Sequence, residues 1–250
     1  MAPVALALVV VSLPGCKKAV EAFEDGLVDC RACNIQQISV ASMDELGTDT
    51  VVYRFSYNAA GDPVTVKNTA VSTGNPNVVF RYDRSGRLLE MIRPYENGSY
   101  ETWTKYFYNT RGQIVRDTQY IFGSYVDSVP VGFLQYGYWT HHFMYDMFDR
   151  VVGRIDSAFF SGNLYVTPWN FQYDAAGNLV APGVVYDTDL NFLRTNRVWM
   201  FVCNNYSVNN GFQATAYNAH KLPLSFNGVY ETMGPVVTAS GKFQIKYGCR

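Results

Sequence analysis

One short pattern constrains the fold of this chain more than any other feature: an aromatic residue, a variable residue, a tyrosine and then Asn or Asp. In "FRYDRSGRLL", residues 80–89, it reads as a strand, a tight turn and the start of a second strand. Asn and Asp can hydrogen-bond the backbone two residues on, and a glycine four residues after the tyrosine supplies the left-handed conformation that closes a short loop. Each copy of the pattern therefore predicts one β-hairpin.

Six copies can be aligned on their tyrosines, although the last is weaker than the others. The tyrosine and its following residue are Tyr57–Asn58, Tyr82–Asp83, Tyr108–Asn109, Tyr145–Asp146, Tyr173–Asp174 and Tyr217–Asn218. The turn position holds Gly61, Gly86, Gly112 and Gly177 in four copies, and Asp149 and Lys221 in the fourth and sixth. Because Lys adopts the left-handed conformation less readily than Asp or Gly, the sixth hairpin is predicted to be distorted.

The aromatic residue two positions before each tyrosine shares a face of the strand with it. In the first five copies this residue is Phe55, Phe80, Tyr106, Phe143 or Phe171. Stacking the hairpins would bury an aromatic face that no single hairpin can bury alone. The sequence therefore predicts an all-β fold: a mostly antiparallel sheet of stacked hairpins, forming a curled sheet or partial barrel.

Two further features refine this prediction. The longer intervals between copies are predicted to hold extra strands, at residues 119–129 and 191–207. Pro63 and Pro223 follow the turns of the first and sixth copies, and each removes a backbone donor. We therefore expect that position to face away from the hydrogen-bond ladder or to lie on an edge.

The six units resemble the YD repeat, also called the RHS repeat, over roughly residues 50–226. The segments "NRVWMFVCNNYSVNN" and "YNAHKLPLSF", together with the N-terminal "LPGC", are similar to parts of uncharacterised Bacteroidota lipoproteins that carry degenerate YD repeats. In large YD-repeat proteins the strands form a spiral sheet that encloses a toxin or builds an adhesive shell. The resemblance implies the hairpin architecture, but 250 residues are too few for such a shell, so encapsulation is not carried over.

The first sixteen residues, "MAPVALALVVVSLPGC", predict the cellular location. The apolar run from Val4 to Val11 is shorter than the ~20 residues that span a bilayer, and it fits the core of a secretion signal. "LPGC" resembles a bacterial lipobox, with Cys16 as the lipid acceptor; the alternatives are an ordinary cysteine after a cleaved signal, or a buried strand. The predicted organisation is a signal peptide (1–15), a lipidated N-terminus and tether (16–50) and a YD-repeat-like β domain (51–250).

We therefore expect an outer-membrane-anchored lipoprotein that faces the periplasm or the cell surface, with the membrane as one partner through its lipid. Four further cysteines, Cys30, Cys33, Cys203 and Cys249, make an even number, which in an exported chain indicates disulfides. Three pairings are possible, and one of them could tie the two termini together. The CxxC spacing of "CRAC" also occurs in zinc and thiol-redox sites, but no second CxxC and no α/β pattern accompany it.

Little in the sequence points to catalysis, to a cofactor or to a metal. The net charge of −1 argues against nucleic acid as a partner, because that binding needs a basic face. His141 and His142 would point to opposite faces of a strand and cannot easily share a metal, and His220 lies in another turn. Glycoside hydrolysis needs two carboxylates about 5–10 Å apart. Glu90, Glu96, Glu101 and Glu231 are available, but no pattern pairs them.

Four tryptophans, Trp103, Trp139, Trp169 and Trp199, could either stack on sugar rings or form the core of an aromatic-rich sheet. The leading hypothesis is a non-catalytic binding or scaffold module for a glycan or an envelope protein. The alternative is a hydrolase of cell-surface glycans. An enzyme should gather carboxylates or a His–Asp pair in one cleft, a binding module should expose aromatic residues on a concave face, and a purely structural protein should do neither.

Overall fold

The computed structural model describes residues 33–41, 49–131, 137–160, 162–228 and 232–249. The predicted signal peptide, the predicted lipid acceptor Cys16, and Cys30 lie outside these residues. The described strands are β1 (Cys33–Ala41), β2 (Thr50–Tyr57), β3 (Pro63–Asn68), β4 (Val78–Tyr82), β5 (Leu88–Pro94), β6 (Ser99–Tyr108), β7 (Ile114–Val126), β8 (Val129–Val131), β9 (Tyr138–Tyr145), β10 (Val151–Phe160), β11 (Asn163–Asn170), β12 (Ala216–Tyr217), β13 (Pro223–Gly228) and β14 (Gly241–Cys249).

These strands form one antiparallel sheet, which confirms the predicted all-β fold. Its order is β11-β10-β9-β7-β6-β5-β4-β3-β2-β1-β14-β13-β12, and β8 pairs with β7 beside this path. The sheet is open, with β11 and β12 at its two ends. Strand β1 lies between β2 and β14, so the β domain includes Cys33–Ala41, which the sequence analysis assigned to the tether. In the described part of the chain, no helix is long and apolar enough to cross a membrane.

The hairpin turn has the predicted geometry. In the second copy, the Asp83 side chain accepts bonds from the backbone N–H groups of Ser85 and Arg87, both at 2.9 Å. The N–H of Gly86, at φ +78°, donates to the Asp83 carbonyl at 3.0 Å. The pairing register then shifts between Arg81 and Tyr82, which is the bulge expected after a left-handed turn residue. The other five turn residues, Gly61, Gly112, Asp149, Gly177 and Lys221, also have positive φ.

The sixth hairpin is not distorted at its turn, so that prediction is wrong. Lys221 adopts φ +60°, and the Asn218 side chain accepts bonds from the backbone of His220 and Leu222 at 2.9 and 3.0 Å. These bonds hold the turn although Lys lacks the freedom of Gly. The strands are reduced in both of the last two copies: β12 of the sixth has only two residues, and in the fifth Tyr173 and Leu179 form only an isolated bridge.

Pro63 and Pro223 occupy equivalent places, as the first residues of β3 and β13. Each lies opposite a repeat tyrosine at a register shift: Pro63 opposite Tyr57 and Pro223 opposite Tyr217. Neither β3 nor β13 is an end strand of the sheet. Each proline lacks a backbone N–H donor. Its place at the start of a strand and at a bulge tolerates this loss, so a position at the edge of the sheet is not needed.

The first five repeat tyrosines donate to backbone carbonyls of the preceding strands, which the pattern did not predict, whereas the sixth, Tyr217, donates to the Asp187 side chain at 2.7 Å. The Tyr82 hydroxyl donates to the Pro63 carbonyl at 2.7 Å, and the Tyr108 hydroxyl donates to the Leu88 carbonyl at 2.9 Å. Equivalent bonds run from Tyr57 to Ile35, Tyr145 to Ile114, Tyr173 to Val151, Tyr186 to Leu179 and Tyr247 to Pro223. In the second to fifth copies the acceptor lies at the same position of the preceding copy, so this ladder repeats with the sequence.

One face of the sheet, here called the inner face, is covered by a short helical segment. A 3-10 helix (Phe192–Thr195) and helix α1 (Arg197–Val202) replace the extra strand predicted for 191–207. The side chains of Asn191 and Asn196 cap the two helices by accepting bonds from the backbone N–H groups of Leu193 and Val198. The capped segment is too short to be recognised from hydrophobic periodicity, which does not separate short apolar helices from strands.

The helical segment packs on the repeat aromatics. Trp199, which is completely buried, contacts Phe55 and Phe80 edge-on at ring-centroid distances of 5.6 and 5.5 Å. Phe201 contacts Tyr106 and Phe143 at 5.6 and 5.2 Å. The predicted aromatic face is therefore in the main core of the protein, and residues 192–202 cover it together with buried residues of later segments, such as Met233 and Val237.

We expect the left-handed conformation at the turn position to have a measurable effect on the free energy of unfolding. Replacing Gly86 by Ala should lower the free energy of unfolding by about 1 kcal/mol, because the added Cβ would contact nothing within 4 Å and only the backbone is strained. Lys221→Gly should raise the free energy by up to about 1 kcal/mol for the same reason. Urea denaturation measures both, and a neutral Gly86→Ala would show that the turn does not need this conformation.

A disulfide joins the ends of the described chain. Cys33, in β1, is bonded to Cys249, in β14, across a sequence separation of 216 residues. The two residues face each other in the β1–β14 pairing. This confirms the predicted bridge between the termini and shows that Cys33 is paired with Cys249 rather than with its CxxC neighbour, Cys30.

Reduction of this bridge should destabilise the protein by about 2–4 kcal/mol, because the unfolded chain then regains the entropy of a very long loop. Unfolding curves with and without dithiothreitol measure the loss. A Cys203→Ala variant is the control and should keep its sensitivity to the reductant, whereas Cys249→Ala should lose it. Equal curves for the oxidised and reduced protein would contradict this role.

Candidate functional site

Contacts of the helical segment with the inner face extend to Phe143. Beyond it, among the described residues, Trp139, Tyr165 and Trp169 of β9 and β11 are exposed. Three facing rows of side chains line this part of the inner face. The cross-strand pairs give the rows as Trp139, Ala158, Tyr165; His141, Asp156, Thr167; and Phe143, Arg154, Trp169. We call this surface the β9–β11 groove, with β10 as its floor and the residues of β9 and β11 as its two sides.

Ala158, in the first row, is the smallest of the three β10 side chains that form the floor of the groove. The small Ala158 lies between Trp139 and Tyr165, which are 44% and 59% exposed. Since neighbouring strands are about 4.8 Å apart, the backbones that carry these two rings are separated by roughly 10 Å. The two exposed aromatic residues therefore flank a gap with an apolar floor.

The middle row supplies the polar groups. His141 Nδ1 lies 2.6 Å from Asp117 Oδ1, on the neighbouring strand β7, and His141 Nε2 lies 3.9 Å from Asp156 Oδ1. Asp117 also accepts a bond from the backbone N–H of His141 at 3.2 Å. A His–Asp pair and a second carboxylate are thus gathered beside exposed aromatic rings.

Asp156 has partners of its own. Arg154 donates to both of its oxygens, at 2.6 and 2.9 Å, and Trp169 Nε1 donates at 2.7 Å. Trp169 is 47% exposed, and its ring lies over the Arg154 guanidinium at 5.7 Å. The Arg154–Asp156 pair therefore orients Trp169 at the third row of the groove.

The four tryptophans named in the sequence analysis have different environments. Trp139 and Trp169 lie in the groove and are exposed, whereas Trp199 is in the core and cannot reach a ligand. Trp103 lies on the opposite, outer face and is half-buried. Its Nε1 donates to Glu90 at 3.1 Å, and its ring lies 5.0 Å from that of Tyr120. Two of the four thus remain candidates for stacking.

None of the described glutamates that were candidates for glycoside hydrolysis lies in the groove. Glu90 pairs with Arg81 at 3.0 Å, and the buried Glu101 pairs with Arg93 at 2.6 Å. Glu96 is exposed, and Glu231 lies outside the described residues. His142 is exposed on the outer face, opposite to His141 as predicted.

The cysteines do not form a thiolate site among the described residues. The sulfurs of Cys33 and Cys249 and a ring nitrogen of His220 lie within 4.8 Å of one another, but the two sulfurs are bonded together and lack the thiolate that binds zinc. Cys203 has no disulfide partner in the described part of the chain. Burial raises the pKa of its thiol well above the usual range, so it stays protonated.

Several residues of the groove were missed from the sequence. Asp117, Asp156 and Tyr165 come together only through the register of four strands, β7, β9, β10 and β11. The alternation in "RIDSA" of β10 does put Arg154, Asp156 and Ala158 on one face, which was an available signal. Tyr186 of the tyrosine ladder was also missed, although "VVYDTDL" carries a Tyr–Asp pair.

Comparison with known proteins gives structural likenesses alone. No family model matches the chain. No curated protein matches it. A solved structure titled as a porin-like protein from Bacteroides uniformis is similar over 86% of this chain and 98% of its own, with 9% identity and a TM-score of 0.35.

Two further solved structures are those of TcdB2-TccC3-Cdc42 and TcdB2-TccC3-TEV. They share 14% and 15% identity with this chain over 72% and 77% of its length, each with a TM-score of 0.30. The matched region is 9% of either of those chains, so this protein spans a small part of their length. At these TM-scores none of the three likenesses indicates a function.

The groove predicts which tryptophans solvent can reach. Trp139→Phe and Trp169→Phe should each remove part of the fluorescence that acrylamide quenches, and the double variant should leave mainly blue-shifted emission from Trp103 and Trp199. Trp103→Phe is the control and should leave most of the quenchable emission in place. If the two substitutions leave the amount of quenchable emission unchanged, the rings of Trp139 and Trp169 are not accessible to solvent.

Proposed function

We propose that this protein is a non-catalytic binding module of the cell envelope, and that the β9–β11 groove binds a glycan. The observation that carries the proposal is the gap over Ala158 between the exposed rings of Trp139 and Tyr165. Exposed aromatic residues on an open inner face are what distinguishes a binding module from a purely structural sheet. Their flat apolar surfaces suit the apolar face of a sugar ring.

In this proposal one sugar ring lies between the two aromatic side chains. Van der Waals contact needs about 3.5–4.0 Å on each side of the ring, which is compatible with the separation of roughly 10 Å between β9 and β11. His141, Asp156 and Thr167 form the next row, within reach of the hydroxyl groups at the edge of the ring. A few polar groups beside an apolar surface give a site its orientation and specificity.

Hydrolysis of cell-surface glycans is the alternative, since Asp117, His141 and Asp156 meet in the groove. The bonds of these groups favour binding over catalysis. Asp156 is held by Arg154 and Trp169, and Asp117 is 5% exposed and held by the ring and the backbone of His141. A general acid or a nucleophile needs access to the reacting atoms, and these carboxylates serve instead to position the side chains around them.

In this proposal the chain is a degenerate YD-repeat lipoprotein, anchored to an outer membrane by a lipid on Cys16. The common turn geometry and the tyrosine ladder support the repeat assignment, because both recur with the sequence period. The Cys33–Cys249 disulfide supports export to an oxidising compartment. An envelope protein is the other partner considered for the same surface.

The test is binding of the full chain to a glycan array, followed by fluorescence titration of each hit. Trp139→Ala and Tyr165→Ala should each weaken binding about tenfold or more, since each removes one stacking surface. Leu164→Ala is the matched control: Leu164 is 64% exposed and precedes Tyr165 on β11, but points to the outer face. Its affinity should not change.

The proposal fails if no glycan binds saturably, or if Leu164→Ala weakens binding as much as Tyr165→Ala. Incubation of each hit with the protein separates the two functions. Unchanged glycan supports the binding module. Cleavage that is lost in Asp117→Asn, while binding remains, would establish the hydrolase.

A further inference from the structure

A second concave site lies at the turn end of the sheet, away from the groove. It is a cavity of about 330 Å³ between the turns of the second, third and fourth hairpins and the helical cover. Residues of the turns, such as Gly86, Gly112 and Asp149, form one side, and Val198, Met200 and Phe201 form the other. No residue of the β9–β11 groove lines it.

Positive charge dominates the polar lining of this cavity. Five arginines line it, Arg87, Arg111, Arg150, Arg194 and Arg197, against two carboxylates, Asp62 and Asp149. The protein as a whole has a net charge of −1, so the concentration of arginine here is local. Such a lining attracts anions.

The arginines differ in how far they are already neutralised. Arg87 pairs with Asp83 at 2.7 Å, and Arg150 pairs with Asp146 at 2.7 Å. Arg111 and Arg197 make no ion pair with a carboxylate among the described residues. Arg111 belongs to a hairpin turn and Arg197 to helix α1, and both are exposed and line the cavity, so both are available to a group that enters it.

The tyrosines of the lining do not compensate this charge. The hydroxyls of Tyr82, Tyr108 and Tyr145 donate to backbone carbonyls at 2.7, 2.9 and 2.6 Å. Burial raises the pKa of Tyr108 to about 12, and the charge of Arg197 opposes that rise. The phenol therefore stays neutral at physiological pH. Gln113 donates to Asp149 at 2.6 Å, so one of the two carboxylates also has a partner already.

From this cavity we infer a binding site for a small organic oxyanion, a molecule with a carboxylate or a phosphate group and a compact body. Arg111 and Arg197 hold the oxyanion, since guanidinium groups donate paired hydrogen bonds to such groups. Val198, Met200 and Phe201 contact the body of the ligand. The site is additional to the glycan groove and does not depend on it.

Isothermal titration of the full chain with D-glucuronate, D-glucose and inorganic phosphate tests the inference. Glucuronate and glucose share one ring and differ by a carboxylate, so glucuronate should bind and glucose should not. Binding of phosphate as well would identify the oxyanion itself as the recognised group, whereas binding of glucuronate alone would identify the sugar acid. Added salt should weaken either interaction, because it screens the charges.

Arg197→Gln should weaken binding of the anionic probe about tenfold or more. Arg84→Gln is the matched control, because Arg84 is an exposed arginine of the second hairpin turn that does not line the cavity. Circular dichroism confirms that both variants are folded. Trp139→Ala should leave the anion affinity unchanged, so failure of the groove and failure of the cavity are distinguishable.

The inference is overturned if neither glucuronate nor phosphate binds, or if glucose binds as well as glucuronate. It is also overturned if Arg84→Gln and Arg197→Gln weaken the interaction equally, because the attraction would then come from surface charge in general.

Discussion

Burial of the repeat aromatics under Trp199 and Phe201 is the interaction on which the rest of this structure depends. Each hairpin offers aromatic side chains on one face and has nothing of its own to cover them. An open sheet cannot solve this by stacking alone, since one whole face would remain in water. The capped helical segment at residues 192–202 supplies the missing layer, and Trp199 contacts two neighbouring hairpins at once through Phe55 and Phe80.

The extent of that cover also sets the positions of both candidate sites. The helical segment reaches Phe143 through Phe201, and among the described residues the aromatic side chains of the groove beyond it, Trp139, Tyr165 and Trp169, are exposed. At the turn end, the cover meets the hairpin turns without filling the space between them, and the arginine-lined cavity remains. Both sites therefore lie where the helical cover ends. Exposed aromatic residues line one of them, and arginines line the other.

The features that could be predicted from the sequence are those that depend on residues close together in the chain. The Asn or Asp after each repeat tyrosine and the left-handed residue after it define a turn within a few residues, so the hairpins and the antiparallel sheet followed from the sequence. Even Lys221 adopts the turn, because the Asn218 side chain holds it. The segment 191–207 was predicted as a strand because an apolar stretch of this length fits either state, and the two Asn caps that favour a helix were not recognised.

The sequence by itself determined the repeating unit, its aromatic face and the all-β class, because each depends on residues close together in the chain. Only the tertiary structure decided that Cys33 pairs with Cys249, that Trp199 is core while Trp139 and Trp169 are exposed, and that Asp117, His141 and Asp156 meet. These outcomes depend on strand order and register across the sheet. Alternation along β9 puts Trp139 on the same face as Phe143, but only the packing of segments distant in the chain decides which strands lie beside β9 and where the helical segment covers that face.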